Sequence, residues 1–269
     1  MSAPIDLQQA IQDRLSDVVG EDRHVAVAIR DLERRRLLNI EASRRFPSAS
    51  VIKVTILIEL LARCEEGDFR LDQQVSYSPN DRVEGSGVLQ SMHAGVSLTL
   101  EDLALLMIVV SDNTASNVLI GILGCDRINQ RLDGLGLKLT RLERKFYDFE
   151  ARAQGKDNWL AAGEMADLLA AVEMRRVISP AVCEKTLEIM HKQQFVNKIP
   201  ALLPPDTRVA NKTGSISTAS HDAGIIYTPT GPIALCVLTE GLPAPAAESV
   251  IRDIARLTYD FWGVPARRS

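Results

Sequence analysis

The chain has 269 residues, of which 46% are hydrophobic and 25% are charged, and its formal net charge is −4. This composition is that of a globular protein with one large core or two joined subdomains. The slight negative charge gives no general attraction to nucleic acid or to anionic membranes, so neither is expected as a partner.

The sequence carries no signal for membranes or secretion. Lys53 and Glu59 interrupt the longest apolar run, which is therefore too short to span a bilayer. The amino-terminal residues are polar and acidic, unlike a signal peptide. We therefore expect a cytoplasmic protein, and a secreted one only if a signal has been removed.

The cysteines and histidines give no indication of a metal or an organic cofactor, and none is expected. The four cysteines lie far apart in the chain, and the four histidines show no ligand spacing. We expect reduced thiols and a monomeric protein.

The predicted elements begin with a helix over residues 5–19, whose apolar residues recur at helical spacing and which ends at Gly20. Residues 24–30 alternate as a strand that places Val25, Val27 and Ile29 on one face. A charged turn then leads to a second strand over residues 37–40, which predicts a hairpin.

Residues 46–194 are predicted to be helical. Thr99 and Asp102 form a capping signal before an apolar helix over 103–110, and the next helix, over 114–123, ends at Gly124. Further helices are predicted over 163–172 and 180–191, and no strand pattern is evident in this block.

The last quarter of the chain returns to strands, over residues 208–210, 223–227 and 232–239, before a final amphipathic helix. This order predicts an α+β fold, an α/β sandwich in which the terminal helices cover a five-stranded antiparallel sheet and an all-helical insert lies beside it. We expect two subdomains, 1–45 plus 205–269 and 46–204, with the active site in the cleft between them.

A lysine in a helix that is otherwise apolar on almost every side is the first chemical signal. Ser50 and Lys53 are one helical turn apart. Burial lowers the pKa of a lysine, and an amine that deprotonates easily beside a serine hydroxyl is what an activated nucleophile requires. The alternative is a lysine that extends its charged end out of a core helix.

Two further polar stretches stand where apolar elements end. Ser111-Asp112-Asn113 separates two apolar helices, and helix capping is its alternative explanation. Lys212-Thr213-Gly214-Ser215 follows the strand over 208–210, and a surface turn is the alternative there.

Taken in order, Ser50-x-x-Lys53, Ser111-Asp112-Asn113 and Lys212-Thr213-Gly214 resemble the three motifs of class A β-lactamases and penicillin-binding proteins. The order of elements is similar to that family over nearly the whole chain. The resemblance implies the β-lactamase/transpeptidase-like fold and a small-molecule β-lactam or an acyl or peptide substrate.

The same resemblance implies the roles of the site residues. Ser50 would be the nucleophile, Lys53 would act as the base of acylation or relay protons to it, and Ser111 would pass a proton to the departing amine. Asn113 would bind the side-chain amide of the substrate. The backbone N–H groups of Ser50 and Ser215 would bind the oxyanion, and Lys212, Thr213 and Ser215 would receive the carboxylate of the substrate.

The sequence departs from the family at two positions. No E-x-x-L-N motif supplies the glutamate of deacylation, so Asp148 is the expected base, and the alternatives are Glu150 or neither residue. Arg144 and Asp157 are expected to pair and close this loop. Ala223 replaces an arginine that binds the substrate carboxylate in many members, and His221 or Arg208 is a possible substitute.

Three functions therefore remain open. The first is a serine β-lactamase-like hydrolase that is acylated at Ser50 and hydrolyses the amide bond of the ring, at least slowly. The second is an intracellular peptidase, amidase or esterase on the same fold. The third is a penicillin-binding protein that is acylated without turnover.

Overall fold

A five-stranded antiparallel sheet forms the centre of the computed structural model, which describes residues 6–93 and 95–264. The order of the strands is β2-β1-β9-β8-β7. Their bounds are His24–Asp31 for β1, Arg36–Ile40 for β2, Val209–Ile216 for β7, Ala219–Thr228 for β8 and Gly231–Glu240 for β9. The predicted fold class and all five predicted strands are confirmed. The predicted helix start at Ile5 lies outside the described residues.

The third motif lies inside a strand and not after it. The strand predicted to end at Ala210 continues as β7 to Ile216, and it pairs with β8 so that Lys212 faces Ala223 and Gly214 faces His221. The sequence prediction stopped early because buried polar residues follow Ala210, and these break the apolar alternation that marks a strand.

The two faces of the sheet pack against different parts of the chain. The helices α1 (Leu7–Leu15) and α9 (Ala244–Thr258) cover one face, where Val25, Val27 and Ile29 of β1 are buried with them. Ala26 and Ala28 point to the other face, which packs against the core of the helical insert. This alternation is what the strand pattern predicted.

The insert is built around α2 (Lys53–Glu65), in which every residue from Lys53 to Ala62 is buried. Glu59 is buried there with a partner, the guanidinium of Arg131 at 2.7 Å. The other helices are α3 (Leu100–Val109), α4 (Asn113–Leu123), α5 (Cys125–Gly134), α6 (Phe149–Ala153), α7 (Ala162–Glu173) and α8 (Pro180–Met190). Short 3₁₀ turns occur at Pro79–Asp81, Leu89–Ser91 and Ile199–Leu202, and a π-turn at Tyr259–Gly263 follows α9.

The expectation of an all-helical insert is wrong in detail. β3 (Arg45–Pro47) pairs with β6 (Trp159–Ala161), and β4 (Gln74–Ser76) pairs with β5 (Ser97–Thr99). Strands of three residues are too short to show an alternating pattern in a sequence. The division into two subdomains stays a prediction.

The capping signals are borne out. Thr99 accepts a hydrogen bond from the backbone of Asp102, whose own side chain caps the backbone of Thr99, so the predicted capping box starts α3. Gly124, with φ of 80°, ends α4. None of the helices within the described ranges is long and apolar enough to cross a membrane.

Candidate active site

Ser50 lies in a tight turn between β3 and α2. Backbone hydrogen bonds from Val51 to Ser48 and from Lys53 to Ser50 close this turn. Ala49 has φ of 45°, a left-handed conformation that costs an ordinary residue about 1–2 kcal/mol. Such strain persists only where the surroundings enforce it, and it sits immediately before the proposed nucleophile.

The turn forms one wall of a cavity of about 330 Å³. The cavity is lined by Pro47, Ser48, Ala49, Ser50, Gly85, Ser86, Asn113, Arg144, Phe146, Tyr147, Phe149, Arg152, Asp157, Asn158, Ser215, Ile216, Ser217 and Thr218. Residues from all three sequence motifs are among them or directly behind them.

Lys53 lies behind this wall and is fully buried. Its Nζ donates to the Ser111 carbonyl at 2.7 Å, the Ser111 hydroxyl at 3.1 Å and the Asn113 side-chain oxygen at 2.8 Å. Burial lowers the pKa of Lys53 well below its ordinary value, and the charge of Lys212 lowers it further, whereas Asp112 acts in the opposite direction. The neutral amine, the form that a base requires, is therefore easier to reach here than in an exposed lysine.

Asp112 organises the second motif. Its Oδ1 caps α4 by accepting from Ala115 at 2.9 Å, and its Oδ2 accepts from the backbone N–H groups of Val88 and Leu89. A Cβ at Gly87 would overlap this carboxylate, so the loop can approach only with glycine there. The capping explanation is therefore confirmed, and Ser111, the residue before this cap, lies within hydrogen-bond distance of Lys53.

Asn113 is held from two sides. Its oxygen accepts from Lys53, and its Nδ2 donates to the Glu84 carbonyl at 3.0 Å. The amide orientation is therefore determined, and the group reaches the cavity wall.

The third motif brings β7 against the turn of Ser50. A Cβ at Gly214 would lie 2.9 Å from the backbone nitrogen of Ser50, so only glycine permits this contact. Lys212 is fully buried and donates to the Thr213 carbonyl at 2.8 Å. Burial lowers the pKa of Lys212 to about 7, opposed by Asp222 and assisted by Lys198.

Lys198 is a site residue that the sequence did not reveal. It is buried, and its Nζ donates to the Gly214 carbonyl at 2.8 Å, the Ser215 hydroxyl at 2.8 Å and the His221 carbonyl at 3.0 Å. Burial lowers its pKa, and the nearby Asp222 opposes that effect. A single lysine in an irregular segment follows no pattern, so no sequence signal could have found it.

Neither expected substitute for the missing arginine reaches the cavity. His221 is fully buried and contacts Pro47, and Arg208 lies over the ring of Tyr227, 5.2 Å from its centroid. Of the cations near β7, it is Lys198 that contacts Ser215 in the cavity wall.

The loop after α5 does not bring Asp148 to the other predicted residues. Its carboxylate accepts from the Ala151 backbone at 2.9 Å and caps α6, and it is not part of the cavity wall. Glu150 is exposed on α6 and is also absent from that wall. This placement does not support either residue as the deacylating base.

Phe146 lies where the loop faces Lys53. Its ring centroid is 4.5 Å from the Lys53 Nζ, and its backbone exchanges two hydrogen bonds with the Asn117 side chain, at 2.8 and 2.9 Å. The expected pair of Arg144 and Asp157 is present, with two contacts at 2.7 and 2.9 Å, and it closes the loop.

The residues that the structure describes include no group of three or more His, Cys, Asp or Glu side chains placed to hold a metal ion.

A profile of the beta-lactamase enzyme family matches residues 6–262. Beta-lactamase VEB-1 of Pseudomonas aeruginosa is 24% identical over 263 residues, which cover 90% of this chain and 87% of that protein.

Solved structures are similar over almost their whole length. A beta-lactamase from Sphaerobacter thermophilus DSM 20745 is 30% identical with a TM-score of 0.87, covering 96% of this chain and 97% of that one. A variant of PBP-A, solved as an acyl-enzyme complex with penicillin-G, is 27% identical with a TM-score of 0.86, covering 94% and 95%. The extent of the family match shows that this chain belongs to the beta-lactamase enzyme family.

Proposed function

We propose that the protein is a serine hydrolase that β-lactams acylate at Ser50 and that hydrolyses the amide bond of the β-lactam ring. One observation carries the proposal. The buried amine of Lys53, which follows Ser50 by three residues, contacts the Ser111 hydroxyl at 3.1 Å in an environment that lowers its pKa. Such an amine can take the proton of a serine nucleophile near neutral pH.

In the proposed acylation, Ser50 Oγ attacks the lactam carbonyl and its proton passes to Lys53. The oxyanion is stabilised by the backbone N–H groups of Ser50 and Ser215, on elements that the Gly214 contact holds together. The proton then passes through the Ser111 hydroxyl to the ring nitrogen as the C–N bond breaks. The product is an ester of Ser50 with the opened ring.

Hydrolysis of that ester is proposed to be slow. It needs a water molecule and a base, and the loss of general-base assistance costs about 10²- to 10⁴-fold in rate. Among the described residues, the only carboxylate in the cavity wall is that of Asp157, which is paired with Arg144.

The position of Phe146 favours a second candidate, a penicillin-binding protein without effective turnover. An apolar ring, and not a carboxylate, faces Lys53 from the loop. The similar PBP-A variant was solved as an acyl-enzyme complex with penicillin-G, so a protein of this fold can hold such an adduct. An acyl-serine peptidase, amidase or esterase remains the third candidate, with β-lactams as mimics of its substrate.

Time-resolved intact mass spectrometry after mixing with a penicillin tests these functions, with Ser50→Ala as the control. An adduct that forms and then disappears while the drug is consumed supports the hydrolase. A persistent adduct with little consumption supports the penicillin-binding protein. If no adduct forms and the drug is not consumed, both functions are refuted and another acyl substrate is favoured.

A further inference from the structure

His221 occupies a position that the proposed chemistry does not use directly. It is fully buried in β8, and its ring packs edge-on against Phe46, with centroids 6.2 Å apart. Its Nε2 lies 2.8 Å from the Pro47 carbonyl, and its Nδ1 lies 3.1 Å from the backbone nitrogen of Thr239.

These two contacts determine the tautomer. The Thr239 N–H can only donate, so Nδ1 is the acceptor and carries no proton. The ring proton is therefore on Nε2, which donates to the Pro47 carbonyl. Both nitrogens are satisfied only when the imidazole is neutral.

The contact with Pro47 joins two elements of the candidate active site. Pro47 is the last residue of β3 and precedes Ser50 by three residues, and His221 is paired with Gly214 across β7 and β8. Within the described part of the chain, no other hydrogen bond connects residues 47–50 to the five-stranded sheet.

We propose that His221 is a positioning residue that sets the separation between the backbone N–H groups of Ser50 and Ser215, the two donors of the oxyanion site. The inference rests on the proposed function. One donor belongs to the turn that follows Pro47, and the other belongs to the strand paired with β8. The imidazole is the polar link between the two.

The expected effect is on the transition state. Oxyanion donors must lie about 2.7–3.1 Å from the developing charge, and the loss of one donor costs about 10²- to 10³-fold in rate. A displaced donor still contributes, so loss of the His221 link is expected to slow acylation by about 10- to 100-fold. Substrate binding before acylation does not use the oxyanion and is expected to be unchanged.

The test compares His221→Phe with His221→Gln. Phenylalanine keeps a ring against Phe46 but removes both polar contacts, whereas the glutamine amide carries a donor and an acceptor. Val250→Ala is the matched control, because Val250 is buried in α9 on the opposite face of the sheet and its truncation destabilises the fold without touching the site.

Stopped-flow acylation by a chromogenic cephalosporin gives the binding constant and the acylation rate constant separately, and titration with phenylboronic acid reports on the tetrahedral state. We expect His221→Phe to lower the rate constant and the boronate affinity, with binding within about threefold of wild type. We expect His221→Gln to retain most of the wild-type acylation rate constant and boronate affinity, and Val250→Ala to change neither of these two quantities.

Wild-type values for His221→Phe in both assays would overturn the inference while leaving the proposed function intact, as would equal losses in binding and rate. Absence of any Ser50 adduct in the wild type would refute the proposed function itself, and the inference with it. If His221→Phe does not fold, His221→Asn takes its place. The asparagine side chain is one methylene shorter than that of glutamine, so it cannot make the hydrogen bond to the Pro47 carbonyl.

Discussion

Replacement of Phe146 by glutamate is expected to shorten the lifetime of the acyl-enzyme by about 10²- to 10⁴-fold, the range that a positioned general base provides. The Phe146 ring lies 4.5 Å from the Lys53 Nζ and lines the same cavity as Ser50. Asn117 holds the backbone of residue 146 through two hydrogen bonds, so the backbone position is expected to be the same when the side chain is replaced.

The new carboxylate has an opposing effect on acylation. Two unit charges about 4 Å apart interact by about 4 kcal/mol at an effective dielectric constant of 20. This attraction favours protonated Lys53 and offsets the burial that lowers its pKa. Acylation by the Phe146→Glu variant is therefore expected to slow at neutral pH and to require higher pH than in the wild type.

Pre-steady-state kinetics with a chromogenic β-lactam separate the two steps, and Phe146→Gln is the matched control because it has nearly the same shape without a base. Deacylation should be faster than in the wild type for Phe146→Glu but not for Phe146→Gln. If the glutamate and glutamine variants keep the wild-type acyl-enzyme lifetime, a missing base at residue 146 is not the reason for slow turnover.

Three further predictions concern residues around the cavity. Asp148→Asn should leave turnover unchanged, because asparagine caps a helix as well as aspartate; a large loss of turnover with normal acylation would instead identify Asp148 as the base. Lys198→Met should weaken the binding of a penicillin by about 10- to 100-fold but leave the binding of its methyl ester unchanged. The reason is that the Lys198 ammonium donates to the Ser215 hydroxyl, which directs the hydroxyl proton toward a substrate carboxylate. Equal losses of affinity for both ligands would contradict this role. Burial lowers the pKa of His221 from 6.5 to about 4. As the pH falls, the unfolded chain is therefore protonated at this histidine before the folded chain is. The free energy of unfolding should decrease by about 3 kcal/mol in total between pH of about 6.5 and 4. Urea unfolding of the wild type and of His221→Phe across this pH range should show the loss as a change in the difference between their stabilities. The comparison cancels the opposite contribution of Asp222, whose pKa is raised to about 6 and which is present in both proteins. A stability difference that does not change with pH would refute the prediction.

Local patterns in the sequence determined much of the fold. The alternation of Val25, Val27 and Ile29 predicted that they share one face of a strand, and in the structure the terminal helices cover that face. The capping box of Thr99 and the stop at Gly124 predicted where helices begin and end. These features depend on residues a few positions apart, which the chain itself brings together.

The motifs also named three residues of the cavity wall, Ser50, Asn113 and Ser215. A lysine in an apolar helix indicated that Lys53 is buried, and the structure adds its contacts with Ser111 and Asn113.

Only the tertiary structure decided which residues complete the site. Lys198 reaches Ser215 and His221 reaches Pro47 across folded elements, and neither pair has a spacing that a sequence pattern could mark. The same holds for the loop, where Asp148 caps a helix and Phe146 faces Lys53. Periodicity reports which face of an element is buried, but the partner that meets a buried polar group is set by how distant elements pack.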